Sequence, residues 1–316
     1  MATGGGRRAI IAALLANLGI AATKLVAFAL TRSSSMLAEA VHSAADSGNQ
    51  LLLILGGNRA RRVADSDHPF GYGRARYFYA FLVAVVLFSI GGLFALYEAW
   101  HKWSDPHPIR EWAWVPVVVL LVAIVLEGFS LRTAMHEARG PKGAQSWRSF
   151  IRTSRSPELP VVLLEDTGAL LGLVLALFGV GMTLATHDGR WDAVGSAAIG
   201  VLLVVIAVVL AAETRSMLLG EGATPEHVDA LRAALVGPGV VSVIHLRTLH
   251  LGPEELLVAA KIEVGPVASA ADVAAAVEAA EARARAAVPL TTVIYLEPDL
   301  PRSVVEPDPN PPGVRG

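Results

Sequence analysis

The stretch Ser34-Ser-Met-Leu-Ala-Glu39-Ala-Val-His42-Ser-Ala-Ala-Asp46-Ser-Gly-Asn49-Gln50 decides the fold. It sits in a segment, residues 36–56, long and apolar enough to read as a bilayer-crossing helix, yet it carries an imidazole and a carboxylate four residues apart. On a helix that spacing stacks His42 and Asp46 on one face. A carboxylate near the bilayer centre costs at least about 2–3 kcal/mol unless it is paired, hydrated or bound to a cation. A ring nitrogen and a carboxylate oxygen one turn apart supply half of a tetrahedral site for a borderline metal such as Zn²⁺. Either residue alone reads as a polar group bonded to a neighbouring helix. The pair, at ligand spacing inside a span, reads as a site.

The rest of the chain supplies the setting. Of 316 residues, 53% are hydrophobic and 17% charged, against about 25% charged in soluble domains. Mean hydropathy is +0.52. Six segments, about 9–30, 36–56, 77–98, 113–135, 159–184 and 192–213, approach the roughly 20 residues a spanning helix needs, and hydropathy alone is expected to select all six. The first begins close to Met1 with no early small-residue cleavage pattern, so it reads as a retained span. Thirteen Arg and Lys, from Arg7 to Arg155, fall in the loops of one side, and four (Arg32, Lys102, Arg110, Arg190) in those of the other. The positive-inside rule then puts both termini in the cytoplasm, with the protein in the cell's inner membrane. A net charge of −2 excludes a strongly basic nucleic-acid binder, and the absence of cysteine excludes disulfides, zinc fingers and a thiol nucleophile.

Beyond Leu219 the pattern changes. Thr224–Val236 reads as a helix capped by Thr224, followed by strands Val240–His250 and Leu256–Val264, an alanine-rich helix Ser269–Ala287 and a strand Thr291–Glu297. The fold class is therefore an α-helical membrane protein of six transmembrane helices (residues 1–218) with a small cytoplasmic α+β domain of α-β-β-α-β order (219–300). The proline-rich tail 301–316 reads as disordered. The basic loop Ala138–Pro157, with Trp147, Phe150 and Ile151, reads either as a short interfacial helix or as a solvated loop.

Other charged residues fall inside the spans. Asp166, in Leu163-Leu-Glu165-Asp166, lies at a depth close to that of Asp46, within what helix tilt absorbs, so the two aspartates can meet. Glu165, about 100° further round the helix, faces the same cavity only obliquely; the alternative is a solvated charge at the inner interface. Lys24 lies near a span end and can snorkel. Glu127 reads as lining a watery entry, carrying protons, or pairing with a polar neighbour. Glu39 and Glu98 read as interfacial charges.

The motif around His42 and Asp46, followed by His68-Pro-Phe-Gly-Tyr72-Gly-Arg-Ala-Arg, resembles the cation diffusion facilitator family, and the similarity extends from about residue 7 to 300. The resemblance implies a homodimeric exporter of divalent cations, usually Zn²⁺ exchanged for protons. It places the transport site on His42, Asp46 and Asp166. The family's fourth ligand falls on Val162, which cannot ligate, so Glu165, Asn49 or a water is expected to replace it, with Glu127 as a further proton or metal group. A subgroup of the family, including mitochondrial relatives, shares the Leu-Leu-Glu-Asp pattern. The family's loop site matches Asp65 and His68 but has Tyr72 in place of a second histidine, which implies a weakened site. In the C-terminal domain, His245 and His250 are the candidates for a bound metal; their opposite strand parity favours a metal-free dimerisation domain.

The function expected is divalent cation efflux, Zn²⁺/H⁺ antiport, with no prosthetic group and no enzymatic activity. Its partners are metal ions, protons, lipid and a second copy of the chain, and no nucleic acid. The imidazole of His42 is the group expected to exchange a proton. The alternatives are a Mn²⁺, Fe²⁺ or Co²⁺ exporter, and a non-transporting metal sensor or partner subunit. An intramembrane metalloprotease is disfavoured, because no His-Glu-x-x-His lies in a span.

Overall fold

Mostly apolar runs separated by polar turns produce six long helical segments among the described residues. The computed structural model of the chain describes residues 4–106, 112, 114–266 and 269–300, with side chains from Asn17 onward. The tail 301–316, expected to be disordered, and the side chains of Arg7, Arg8 and Arg110 lie outside the described residues. The long helices are α1 (Gly4–Thr31), α2 (Ser34–Ala60), α3 (Ala75–Ser104), α4 (Trp114–Lys142), α6 (Glu158–Thr186) and α7 (Arg190–Leu219). A wider π-helical stretch, Leu87–Leu93, interrupts α3. Among the described residues, α3, α4, α6 and α7 are long and apolar enough to cross a membrane, and α1 is apolar over Asn17–Thr31.

Helix α2 departs from the hydropathy expectation. It does not qualify as an apolar span because its composition is too polar, and beside Met36 and several alanines it buries Glu39, His42, Ser43, Ser47 and Asn49. A helix this polar survives in a bundle only where neighbours enclose its polar stripe. Helices α1, α3 and α6 do so, and α4 packs against α6. Around the stripe sits an apolar core that includes Met36, Val83, Leu120, Leu173, Ile199 and Leu203. The basic loop resolves as a short helix, α5 (Trp147–Thr153), capped by the Ser146 hydroxyl, with Phe150 buried against Ala134, Ala138 and Leu163.

The chain divides into two compact units, one of residues up to Arg61 with Ala75–Ser216, the other of Arg62–Arg74 with Met217 onward. The second unit contains α8 (Pro225–Leu235), β1 (Val240–Gly252), β2 (Glu255–Val264), α9 (Ala270–Ala287) and β3 (Thr291–Asp299), in the α-β-β-α-β order that the sequence predicts. The strands lie in the order β1-β2-β3, antiparallel then parallel. Thr224 and Ser269 cap the two helices by accepting from the backbone N–H groups of His227 and Asp272. Leu231, Leu235, Leu256, Val258 and Ile262 form the core. The segment 62–74 lies against the end of β1: a Cβ on Gly73 would stand 2.6 Å from the Leu251 carbonyl oxygen, so only glycine fits there.

Candidate metal centre

The polar face of α2 is read most easily from its N-terminus inward. Ser33 caps the helix, its Oγ accepting from Met36 N. Asp192, in the first turn of α7, takes over the remaining orphan donors: it accepts from Ser34 N at 2.6 Å, Ser35 N at 3.2 Å and Ser33 Oγ at 2.8 Å. A carboxylate at a helix N-terminus meets both the free N–H groups and the positive end of the dipole. This fully buried clamp was not foreseen in the sequence. The run Ser33–Ser35 signals a cap, but nothing local pairs it with an acid 158 residues away.

One turn further in, Lys24 of α1 donates to Glu39 Oε2 at 2.9 Å and to Ser43 Oγ at 2.7 Å. Both charged side chains are essentially inaccessible, at 1% and 0% exposure. This corrects two expectations: Lys24 does not snorkel and Glu39 is not an interfacial charge. Each finds its counter-charge across the α1–α2 contact, which removes the reason to reach the membrane surface.

His42 and Asp46 follow. His42 Nδ1 stands 3.6 Å from Asp46 Oδ1, with His42 buried and Asp46 15% exposed. That separation is too long for a hydrogen bond. It is close to the roughly 3.4 Å between two ligands each about 2.1 Å from a tetrahedral ion. Both His42 ring nitrogens and Asp46 Oδ1 have no hydrogen-bond partner among the described residues, although buried polar atoms are normally satisfied. Another turn on, Asn49 Nδ2 donates to Glu165 Oε1 of α6 at 2.6 Å, leaving Asn49 Oδ1 unpartnered among the described residues.

The two acids of α6 divide their attention, contrary to the oblique placement expected of Glu165. Glu165, 7% exposed, faces α2 directly through Asn49, while Asp166 accepts from Ser130 Oγ of α4 at 2.9 Å. Asp166 still lies within electrostatic reach of Asp46. Glu127, half-buried on α4, feels the charges of Asp46, Asp166, Lys24 and His42. These groups thus share one polar region. In this conformation, however, no three His, Asp or Glu side chains among the described residues converge closely enough to hold a metal. His42 and Asp46 are therefore assembled and Asp166 stands apart on its serine. Val162 packs with the apolar cluster around Phe150.

The two peripheral candidates lie in the second unit. Asp65 Oδ1 accepts from the backbone N–H groups of Asp67 and His68, and Oδ2 from Tyr72 Oη at 2.6 Å. The Tyr72 hydroxyl, then the backbone donor of His68, hold the Asp65 carboxyl below the usual carboxylate range. His68 Nδ1 is 3.5 Å from Asp65 and its ring stacks on Tyr72. Tyr72 thus occupies one oxygen of the candidate ligand. In the sheet, His250 is buried with Nδ1 3.2 Å from Gly252 O. His245 instead lines a surface cavity with Lys261, Tyr295 and Glu297. Lys261 bonds to Glu297 and Asp299 at 3.2 and 3.3 Å, and those carboxylates raise its pKa, Glu297 foremost. The structure does not bring His245 and His250 together with an acid among the described residues.

Residues 10–219 match the cation efflux transmembrane domain. The chain therefore belongs to the cation efflux, or cation diffusion facilitator, family, whose members are membrane transporters and not enzymes. It is 32% identical over 243 residues to the mitochondrial proton-coupled zinc antiporter SLC30A9 of Xenopus laevis, a match covering 76% of this chain and 43% of that protein. Metal tolerance protein C4 of Arabidopsis thaliana is 30% identical over 264 residues, covering 81% of this chain and 57% of the relative. The manganese efflux system protein MneP of Bacillus subtilis is 21% identical over 235 residues, covering 72% and 74%. The chain spans under half the length of the SLC30A9 relatives it matches.

Proposed function

We propose that this protein exports divalent cations, Zn²⁺ foremost, in exchange for protons, through a site built on His42, Asp46 and Asp166. The observation that carries the reading is the 3.6 Å separation of two buried ligand atoms, His42 Nδ1 and Asp46 Oδ1, that make no hydrogen bond to each other. Two preset donors lower the entropic cost of capturing an ion, and a dication between them draws Asp166 from Ser130 across the shared polar region. Glu165, Asn49 and Glu127 serve as supplementary oxygen groups where Val162 offers none. Cargo binding requires neutral imidazole and ionised carboxylates, so protons compete for the same atoms. Antiport follows from that competition. In this reading the protein is a homodimer in the cell's inner membrane with both termini cytoplasmic, and Asp65/His68 and His245/His250 bind metal weakly or not at all.

A harder cargo, Mn²⁺, Fe²⁺ or Co²⁺, is the second reading, favoured by the excess of oxygen donors over the single imidazole. Zinc uptake into inverted vesicles, with the other ions as competitors, tests both. Asp46→Ala is expected to reduce zinc uptake by about a hundredfold or more, the loss of a direct ligand exceeding the 10–100-fold cost of losing an outer partner. Uptake at the unmodified rate sinks the site.

A further inference from the structure

The Lys24–Glu39 pair lies between the candidate metal centre and the α1–α2 end of the bundle. Helix α1 ends at Thr31 and α2 begins at Ser34, so Glu39, three residues before His42, sits about 4.5 Å nearer that end at 1.5 Å per residue. A buried ion pair is a poor way to gain stability, since desolvation cancels much of the attraction. This one is also left incomplete: Glu39 Oε1 has no hydrogen-bond partner among the described residues although it is fully buried. It points at Gly172 of α6, where a Cβ would stand 2.9 Å from it. The glycine makes room for a carboxylate with an oxygen unused. Asp46 meanwhile feels the charges of both Lys24 and Glu39.

We propose that Lys24 and Glu39 form a charge-operated latch: the pair closes the α1–α2 end of the pocket while Asp46 is free, and parts when a dication binds there. This rests on the transport site proposed above. With Asp46 unoccupied, its carboxylate adds to the field that holds the Lys24 ammonium in place. A dication at His42 and Asp46 reverses that field, repelling the ammonium and attracting Glu39 in a region of low dielectric where such forces are strong. Glu39, released, becomes the next oxygen ligand on the exit path, one turn from His42. Lys24 is thus a tethered cation that stands where the cargo next goes. Binding energy is converted into opening only through this difference between the two states.

The chain has no cysteine, so one introduced thiol reports without background. Ala21, buried on α1 one turn from Lys24 and further from the α1–α2 end, is the place for it. Ala21→Cys protein in liposomes is labelled with a membrane-impermeant maleimide added on that side, with and without Zn²⁺, and zinc binding to the same sample is measured by calorimetry. Zinc is expected to raise the labelling rate about tenfold, as a population shift of that size requires. Adding Lys24→Met with Glu39→Gln is expected to give the high rate without zinc. Zinc binding that depends on Asp46 but leaves labelling unchanged overturns the latch and spares the site. Zinc binding that survives Asp46→Ala overturns the site itself, and the latch with it. The zinc response of the Ala21→Cys protein decides the matter even if the double variant does not fold, and a folded double variant that still responds to zinc overturns the latch.

Discussion

The first turn of α2 and its middle are built from similar residues to opposite ends. At Ser33–Ser35 the backbone and side-chain donors converge on Asp192, and the carboxylate receives a bond on each oxygen. Further along the helix, His42 and Asn49 are just as enclosed and Asp46 slightly less so, yet each keeps a polar atom with no hydrogen-bond partner among the described residues. A satisfied buried network rigidifies; an unsatisfied one costs stability and persists where it is used. The contrast teaches that one end of α2 is an anchor, while the ligands proposed for the cargo lie in the unsatisfied turns beyond it, with Lys24 and Glu39 at the boundary.

Two substitutions test that division. Asp192→Ala leaves the Ser34 and Ser35 N–H groups and the Ser33 and Ser34 hydroxyls without their acceptor, and is expected to cost roughly 2–4 kcal/mol, because unmaking bonds to a buried charge carries the desolvation penalty of several groups. Denaturant unfolding in detergent measures it, and zinc affinity of the folded fraction should stay within about twofold if the anchor only anchors. A large loss of affinity at unchanged stability breaks the comparison. Asn49→Ala, in the unsatisfied stretch, removes the donor that holds Glu165 and is expected to weaken zinc binding about tenfold, in the range for partners that orient a ligand. Calorimetry of the purified variant reads this directly.

The smallest effect belongs to the loop. Tyr72→Phe removes the leading cause of the depressed Asp65 pKa, and the carboxyl is expected to rise toward the usual carboxylate range. The sign follows from the depression: the contribution of Asp65 to stability is present above its unfolded pKa and fades as pH falls through its folded one. Asp65 is exposed, so a carbonyl NMR titration, rather than unfolding, is the measurement. If Tyr72 is what disables the loop as a metal site, Tyr72→His should gain cation binding where Tyr72→Phe does not.

Much of this was readable before any coordinates. His42 and Asp46 are four apart, and helical periodicity alone stacks them. The C-terminal element order follows from capping residues and alternating strands, because those signals are local. Thr224 caps where expected. Lys24 and Glu39 were misread for an equally physical reason. Depth in a span is legible in sequence, but the partner across a helix contact is not, and a buried charge differs from a snorkelling one only by that partner. Glu165 was misjudged because a rotation of 100° says nothing about which neighbour stands there.

The sequence by itself determined the helices, the polar stripe on α2 and the pair at ligand spacing, since these depend on period and composition within about twenty residues. Tertiary structure alone decided that Asp192 caps α2, that Lys24 meets Glu39, and that Glu165 and Asp166 turn to different helices. Those are contacts between segments far apart in the chain, set by how six helices pack around one another, and no local pattern encodes the rotation each helix adopts.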